Sequence, residues 1–318
     1  MEFQAEMKYV LDTIWLLISG AFVMWMAAGF AMLEAGLVRS KNTTAILAKN
    51  ITLYSVACIA FYHIGYNLMY GEGNALMGSG FALSGTSSES HSLLSDFFFQ
   101  VVFVATAMSI ISGSVAERMK LWAFFAFAVV MTGLIYPLEG SWTWNGADVF
   151  GLYNLGDLGF SDFAGSGIVH MAGASAALAG VLLLGARTGK YNADGSANAL
   201  PGANLPLATL GTFILWMGWF GFNGGSMLKI ASLDDANAVA RIFVNTNTAA
   251  ASGMVAAALL YRALFGKTDM TMVMNGALAG LVSITAEPLL PGPGMAMLVG
   301  AIGGVVVVLS VLGLDRLR

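Results

Sequence analysis

The stretch Asp162-Phe-Ala-Gly-Ser-Gly-Ile-Val-His170-Met-Ala-Gly173 opens an apolar segment that continues to about Leu184. In a helix, the spacing between Asp162 and His170 rises about 12 Å and turns about 80° past two full turns, so both side chains would face broadly the same side. The acid would lie near a membrane surface and the histidine near its middle, where an ionisable residue is costly and indicates a functional site. The alternative is that Asp162 only caps the helix and that His170 is a hydrogen-bonded core residue.

The composition indicates a protein that crosses a membrane several times. Apolar residues make up 58% of the chain and charged residues 10%, whereas soluble domains carry about 25% charged residues. Because this imbalance runs through all 318 residues, we expect one transmembrane domain, 1–318, rather than two soluble domains. The net charge of −4 and the lack of a basic tract argue against a nucleic-acid partner. A single cysteine, Cys58, excludes an internal disulfide and a cysteine metal cluster.

Nine apolar segments are long enough to span a bilayer, for which about 20 residues are needed. They cover residues 11–36, 45–70, 97–116, 121–139, 162–185, 206–227, 242–262, 271–289 and 294–314. The segments do not alternate between apolar and polar residues, which argues against the strands of a barrel. The first segment has neither a basic n-region nor a cleavage site of small residues, so we expect a retained span. The predicted fold is therefore an all-α polytopic membrane protein.

Lysines and arginines predict the orientation. The chain contains 14 lysines and arginines. All but three of them follow an odd-numbered span or lie just inside span two, and the three exceptions are Lys8, Lys229 and Arg241. We therefore expect the N-terminus outside and the end of this chain inside. The outer loops 71–96 and 140–161 contain no lysine or arginine. The acids in or beside them are Glu72, Glu89, Asp96, Glu139, Asp148 and Asp157. These loops either concentrate cations or simply reflect the orientation rule.

Aromatic residues cluster in two spans and in one loop. They are Phe99 and Phe103 in span three, Trp142 and Trp144 ahead of span five, and Trp219 and Phe222 in span six, where Ser226 follows. Within each span the spacing is i,i+4 or i,i+3,i+7, which places the members on one helix face. Such rings are common in packing and in interfacial belts. They could also form a vestibule whose ring faces attract a cation, with the Ser226 hydroxyl accepting a hydrogen bond from it.

Six sequence blocks together resemble the ammonium transporter family (Amt/Mep/Rh), and within it the Amt branch. They are Ala35-Gly-Leu-Val-Arg-Ser-Lys-Asn42, Ser112-Gly-Ser-Val-Ala-Glu-Arg118, Asp162-Phe-Ala-Gly165 with His170, Gly218-Trp-Phe-Gly-Phe-Asn-Gly-Gly-Ser226, Phe243-Val-Asn-Thr-Asn247 and Gly276-Ala-Leu-Ala-Gly-Leu-Val-Ser-Ile-Thr285. The blocks occur in the family's order, at family-like separations, over nearly the whole chain. For the aromatic residues and Ser226 we therefore prefer the interpretation as a transport site to the interpretation as packing alone.

The resemblance implies an outer site and a gate. Trp144, Phe103 and Ser226 match a recruitment site that holds ammonium by aromatic faces and a hydroxyl, with Trp142 as the alternative to Trp144. Phe103 and Phe222 match a stacked pair that closes the pore below that site.

Four more residues match the pore. His170 matches the first of two histidines at the pore centre, and Trp219 and Phe99 match its lining. Asp162 matches a buried acid that organises the entrance and plays a structural and electrostatic part rather than binding the ion.

The implied function is ammonium transport, with no enzyme activity, cofactor or metal site. Ammonium would be recruited at the aromatic site and deprotonated, and ammonia would pass the phenylalanine gate and the pore histidine while the proton is relayed. The alternative is the ammonium-sensing membrane domain of a signalling protein. An intramembrane enzyme would need clustered ligands such as a His-Glu-x-x-His helix, and the sequence has none.

The chain departs from the family in length. Family members have eleven spans, two inverted five-helix repeats plus a last helix, and the nine predicted spans stop before the second pore histidine. By motif, His63 and His91 do not replace it; we expect His63 to pack locally or to lie at the membrane interface, and His91 to be solvated. The chain could be a fragment of a longer transporter, an artificially shortened chain or a natural nine-span protein.

The resemblance also implies partners and a location. We expect ammonium or ammonia as substrate and the lipid bilayer of the plasma or inner membrane as surroundings. A homotrimer is expected, loosely supported by small residues such as Gly173 and Ala177 on one face of span five. A PII-type regulatory protein is a possible partner at the cytoplasmic face.

Overall fold

The structure, a computed structural model, describes residues 2–71 and 90–317. In these two ranges the extended elements are the isolated bridges Val149–Tyr153 and Tyr191–Ala197, and the rest of the regular structure is helical. The α-helices are α1 Glu2–Leu37, α2 Thr43–Ala60, α3 Tyr66–Tyr70, α4 Leu93–Ser114, α5 Leu121–Val130, α6 Tyr136–Trp144, α7 Ala172–Leu184, α8 Leu205–Gly225, α9 Leu233–Phe265, α10 Met270–Thr285 and α11 Pro293–Leu317. The all-α prediction is confirmed, and the acids Glu72 and Glu89 lie outside the described residues.

The multi-pass membrane prediction is also confirmed. Within the described residues, 8 helical stretches are long and apolar enough to cross a bilayer. They are Phe3–Leu37, Ser40–Tyr70, Leu93–Ser114, Leu121–Trp144, Ser166–Leu184, Leu205–Gly225, Leu233–Phe265 and Pro293–Leu317. The predicted eighth span, 271–289, is the shorter apolar helix α10 of 16 residues. It ends early because Glu287 and Pro288 form a turn, in which the Glu287 carboxylate accepts hydrogen bonds from the backbone N–H groups of Leu289 and Leu290.

In the part of the chain that the structure describes, three spans contain a π-helical segment: Phe61–Gly65 between α2 and α3, Met131–Ile135 between α5 and α6, and Ser166–Met171 ahead of α7. Such segments widen one turn of a helix and are frequent at functional sites. The third contains His170, so the histidine lies on widened backbone rather than on a regular α-helix.

Glycines let the helices of the bundle approach closely. The most extensive helix contact joins α1 to α8, the first helices of the two predicted repeats. A Cβ atom at Gly221 would lie 2.6 Å from the Ser19 carbonyl oxygen, and one at Gly29 would lie 3.0 Å from that of Gly211. Backbone contact of this kind is typical of helices in lipid. The hydrophobic effect does not drive helices together there, and small residues instead allow the close packing that does.

The loops predicted to lie inside contact one another. Arg39, after the first span, forms an ion pair of 2.6 Å with Glu117, after the third, and also donates to the Thr188 carbonyl oxygen after the fifth. Burial raises the pKa of Glu117, but hydrogen bonds from Arg39 outweigh it and lower that pKa to about 2. Three odd-numbered loops thus share one face, as the predicted orientation requires.

On the opposite face, Asp12 of α1 binds the loop that follows α8. Its buried carboxylate accepts hydrogen bonds from the backbone N–H groups of Ile230, at 2.7 Å, and Ala231, at 3.0 Å. This contact fixes the loop that begins at Ser226 against the outer part of α1.

Candidate functional site

The fifth span begins later than the sequence predicted. Residues 162–165 are not helical, Gly165 has a φ of 109°, and the helix starts at Ser166. Asp162 and His170 therefore do not lie on one helix, and the prediction that helical spacing turns both side chains to the same side is wrong. A left-handed φ suits glycine, which has no Cβ to clash, and this break turns the chain at the mouth of the span.

Asp162 caps the new helix start with both carboxylate oxygens. Its Oδ1 and Oδ2 accept hydrogen bonds of 2.7–3.0 Å from the backbone N–H groups of Gly165, Ser166, Gly167 and Ile168. These N–H groups have no partner within a helix, and a carboxylate at a helix N-terminus also gains from the helix dipole. The buried side chain of Asp162 is therefore fully engaged by its own backbone.

The mouth of the fifth span is bound to the end of α10. The Phe163 N–H donates to the Ala286 carbonyl at 2.8 Å, and the Ser166 hydroxyl donates to the Val282 carbonyl at 2.6 Å. The sequence did not predict these contacts, because they join positions more than 100 residues apart.

An outer cavity of about 160 Å³ lies at this mouth. It is lined by Tyr70, Asp96, Phe99, Gln100, Phe103, Trp144, Phe163, Ser226 and Leu228. Of the residues assigned to recruitment, Trp144, Phe103 and Ser226 all line it. The Trp144 indole N–H donates to the Asp162 backbone carbonyl at 2.8 Å, so the capped turn positions that ring.

The two tryptophans ahead of the fifth span lie apart. The Trp144 ring meets Phe103 edge to face at 6.0 Å. The Trp142 ring instead contacts Phe150, with centroids 5.0 Å apart, and does not line the outer cavity.

Phe103 and Phe222 form a stacked pair beneath the cavity, with ring centroids 4.0 Å apart and planes inclined by 26°. Both rings are buried. Phe99, assigned to the pore lining, packs beside Phe103 at 4.7 Å and lines the outer cavity. The pair is a closed apolar barrier between the cavity and the next residues inward.

His170 lies beyond this barrier. Its ring stacks on Trp219 with centroids 5.0 Å apart and contacts Phe222 at 5.5 Å. Nδ1 lies 3.0 Å from the Gly165 carbonyl oxygen; because a carbonyl can only accept, we assign the proton to Nδ1. Nε2 is buried and has no hydrogen-bond partner within the described residues. In the neutral ring it is an unused acceptor.

Trp219 is fixed from the far side. Its indole N–H donates to the Thr285 hydroxyl at 2.7 Å, and that hydroxyl donates to the Leu281 carbonyl. The pairing holds the indole plane against His170, and Thr285 is a residue whose part the sequence did not predict.

Several residues of the outer cavity were not predicted from the sequence. In α4 the spacing i, i+4, i+7 relates Asp96, Gln100 and Phe103. This spacing places them on one helix face and could have predicted that Asp96 and Gln100 lie beside Phe103. Tyr70, Phe163 and Leu228 come from other elements.

The expectation that His91 is solvated is wrong. The residue is only 8% exposed; its Nδ1 lies 3.0 Å from the Ser90 hydroxyl, and its Nε2 lies 3.9 Å from Asp96 Oδ1. His63 is exposed beside the Tyr62 ring, which agrees with local packing.

Two further buried ionisable residues, Glu34 and Lys49, form hydrogen bonds with Ser112. The Lys49 ammonium donates to the Ser112 carbonyl at 2.6 Å, and the Ser112 hydroxyl donates to the Glu34 carboxylate at 2.7 Å. These groups therefore join α1, α2 and α4. Across residues 2–71 and 90–317, no group of three His, Cys, Asp or Glu side chains is placed to hold a metal ion.

The profile of the Ammonium Transporter Family matches residues 14–318. This chain belongs to the ammonium transporter family. A curated family member, the ammonium transporter Amt2 of Archaeoglobus fulgidus, is 45% identical over 299 residues, which cover 92% of this chain and 63% of that protein. A putative ammonium transporter of Synechocystis sp. is 40% identical over 302 residues, covering 93% of this chain and 55% of that protein. The chain thus spans about three fifths of the length of these two family members.

Solved structures of family members share the fold. A structure described as a sensor Amt protein superposes with a TM-score of 0.88 at 35% identity, covering 98% of this chain and 76% of that one. The Mep2 protein of Candida albicans superposes with a TM-score of 0.80 at 26% identity, covering 95% of this chain and 66% of that one.

Proposed function

We propose that this chain supplies the outer recruitment site and the first part of the pore of an ammonium transporter. The observation that carries the proposal is the order of three features along one line of contacts. The outer cavity ends on the stacked rings of Phe103 and Phe222, and the inner face of Phe222 contacts His170, whose Nε2 is unpaired within the described residues. The family name of the curated relatives supports ammonium as the substrate.

The cavity suits a small cation that donates hydrogen bonds. Phe103 and Trp144 offer aromatic faces and edges, and a cation over such a face gains about 0.5–2 kcal/mol, more as it loses water. The Ser226 hydroxyl already donates to the Phe222 carbonyl at 2.8 Å. Its oxygen keeps both lone pairs and can therefore accept a hydrogen bond from an ammonium N–H, which potassium could not offer.

The gate favours passage without charge. Carrying a charged ion past buried rings is expensive, but ammonium can give up a proton and cross as ammonia. The proton passes to water in the outer cavity, and His170 Nε2 accepts a hydrogen bond from ammonia once it is past the rings. Potassium has no proton to lose, so the same barrier excludes it.

An ammonium-sensing domain is the second candidate, favoured by the likeness to the structure described as a sensor Amt protein. A sensor needs the recruitment cavity but no flux through the gate. Transport has the wider support, because the curated relatives named above are described as transporters, one of them putatively. The proposed activity is movement of a solute rather than catalysis.

The assembly and location follow from the family alone. We propose a homotrimer in the plasma or inner membrane, with a PII-type regulatory protein as a possible cytoplasmic partner. The small residues of span five do not support the trimer, because a Cβ atom at Gly173 would lie 2.8 Å from the Ala107 carbonyl oxygen of α4. That face packs within the subunit.

Exchanging the two tryptophans for leucine tests the recruitment site. In proteoliposomes of the intact protein that contains this chain, Trp144→Leu should raise the KM for ammonium uptake by about tenfold, because the aromatic ring and its contact with the cation are lost. Trp142→Leu is the matched control and should leave the KM unchanged, since its ring faces Phe150. Trp144→Phe, which keeps a ring, should recover most of the affinity. A raised KM for Trp142→Leu alone would place the site at the other tryptophan.

A further inference from the structure

Asp96 lines the outer cavity, although no role was assigned to it there. It lies in α4 seven residues before Phe103, so it stands about 10 Å nearer the outer end of the helix. Phe99 and Gln100 line the cavity between them. One helix therefore presents a carboxylate, an amide and the gate ring in sequence from the outside inward.

The Asp96 carboxylate is fixed but not fully used. The Tyr66 hydroxyl donates to Oδ2 at 2.6 Å, which orients the group. Oδ1 lies 3.9 Å from His91 Nε2, too far for a hydrogen bond. The side chain is 17% exposed, so the carboxylate is shielded from bulk water on most sides while it borders the cavity.

Lys229, one of the basic side chains on the same face, does not pair with Asp96. Lys229, in the loop after α8, forms an ion pair of 3.1 Å with Asp235 at the start of α9. A cation that enters the cavity therefore meets a carboxylate that Lys229 does not pair with and that has His91 Nε2 at 3.9 Å.

The cavity has a polar side as well as an aromatic one. The Tyr70 hydroxyl is buried and has no hydrogen-bond partner within the described residues, and the Tyr70 side chain lines the cavity together with Asp96 and Gln100. An unpaired buried hydroxyl costs free energy unless a ligand or water pairs with it. This second observation points to a hydrogen-bonding occupant, and a small cation fits the acid beside it.

We infer that Asp96 is a further ammonium-binding residue of the outer site. Its Oδ1 accepts a hydrogen bond from the cation at the outer end of the cavity, before the ion reaches the rings of Phe103 and Trp144. The inference rests on the proposed transport of ammonium and adds to it a charged first contact. Because a carboxylate attracts other small cations as well, Asp96 raises occupancy of the cavity and leaves selectivity to the gate.

Removing the charge tests this role. In proteoliposomes of the intact protein, Asp96→Asn should raise the KM for ammonium about fivefold at 10 mM ionic strength, with the maximal uptake rate unchanged. The KM of the wild-type protein should rise with added sodium chloride, and that of the variant should rise less, because screening acts on the missing charge. Asp157→Asn is the matched control, since Asp157 is an exposed acid of the outer face outside the cavity, and its KM should stay at the wild-type value.

A second variant separates charge from support. Tyr66→Phe removes the hydrogen bond to Asp96 but keeps the carboxylate, and its KM should lie near that of the wild-type protein. An equal rise in KM for Tyr66→Phe and Asp96→Asn would show that Asp96 acts only as packing support, and would overturn the inference.

The outcomes also distinguish the two proposals. An unchanged KM for Asp96→Asn, together with a raised KM for Trp144→Leu, would overturn the role of Asp96 and leave the transport proposal standing. If the wild-type protein takes up no ammonium at all, the transport proposal itself fails.

Discussion

Replacing Asp162 with alanine should lower the thermal unfolding midpoint of the detergent-purified protein by roughly 10 °C and abolish ammonium uptake. Four backbone N–H groups donate to this carboxylate. Alanine leaves all four without this partner, two of them buried and two part-buried, at a cost of about 4 kcal/mol. The same loss frees the turn whose carbonyl accepts the Trp144 indole N–H, so the recruitment ring loses its position as well.

Two variants qualify the Asp162 result. Asp162→Asn keeps one carbonyl oxygen as acceptor and turns an NH2 group toward the other donors, so its midpoint should fall but remain above that of alanine. Asp157→Ala alters an exposed acid nearby and should leave the midpoint unchanged. An Asp162→Ala protein with the same thermal unfolding midpoint as the wild-type protein would contradict the capping role.

Replacing His170 with alanine should reduce ammonium flux by about tenfold to a hundredfold, because the path loses a buried hydrogen-bond acceptor worth about 1–3 kcal/mol. The substitution removes Nε2, the buried acceptor beyond the phenylalanine pair. It leaves intact the contacts that hold the neighbouring indole, since Trp219 is anchored through Thr285. Uptake in proteoliposomes measures the loss, and the elution volume of the purified protein monitors assembly.

His63→Ala is the matched control for His170→Ala. His63 is exposed, lies outside the line of contacts through the gate, and should keep wild-type flux when replaced. Unchanged uptake and selectivity in the His170 variant would exclude this histidine from the conduction path.

The apolar runs predicted the membrane spans because length and composition decide whether a segment can enter a bilayer. They did not predict where the fifth span starts. Residues 162–165 belong to the same apolar run, but the left-handed Gly165 and the Asp162 cap delay the helix to Ser166. Such a break depends on hydrogen bonds that composition does not reveal.

The candidate site could be predicted in part. The i,i+4 and i,i+3,i+7 spacings placed Phe99 with Phe103 and Trp219 with Phe222, and the rings of each pair do contact in the structure. Spacing within one helix cannot show which residues of other helices approach. The stacking of Phe103 on Phe222 and the place of Tyr70 beside Asp96 depend on packing between spans.

We propose that ammonium crosses a closed aromatic gate because it can lose a proton. The most direct test compares ammonium and potassium fluxes at equal concentration in the same proteoliposomes of the intact protein. This mechanism predicts saturable ammonium flux and no potassium flux above that of empty liposomes. Potassium flux at a rate comparable to that of ammonium, or bound ammonium without any flux, would contradict it.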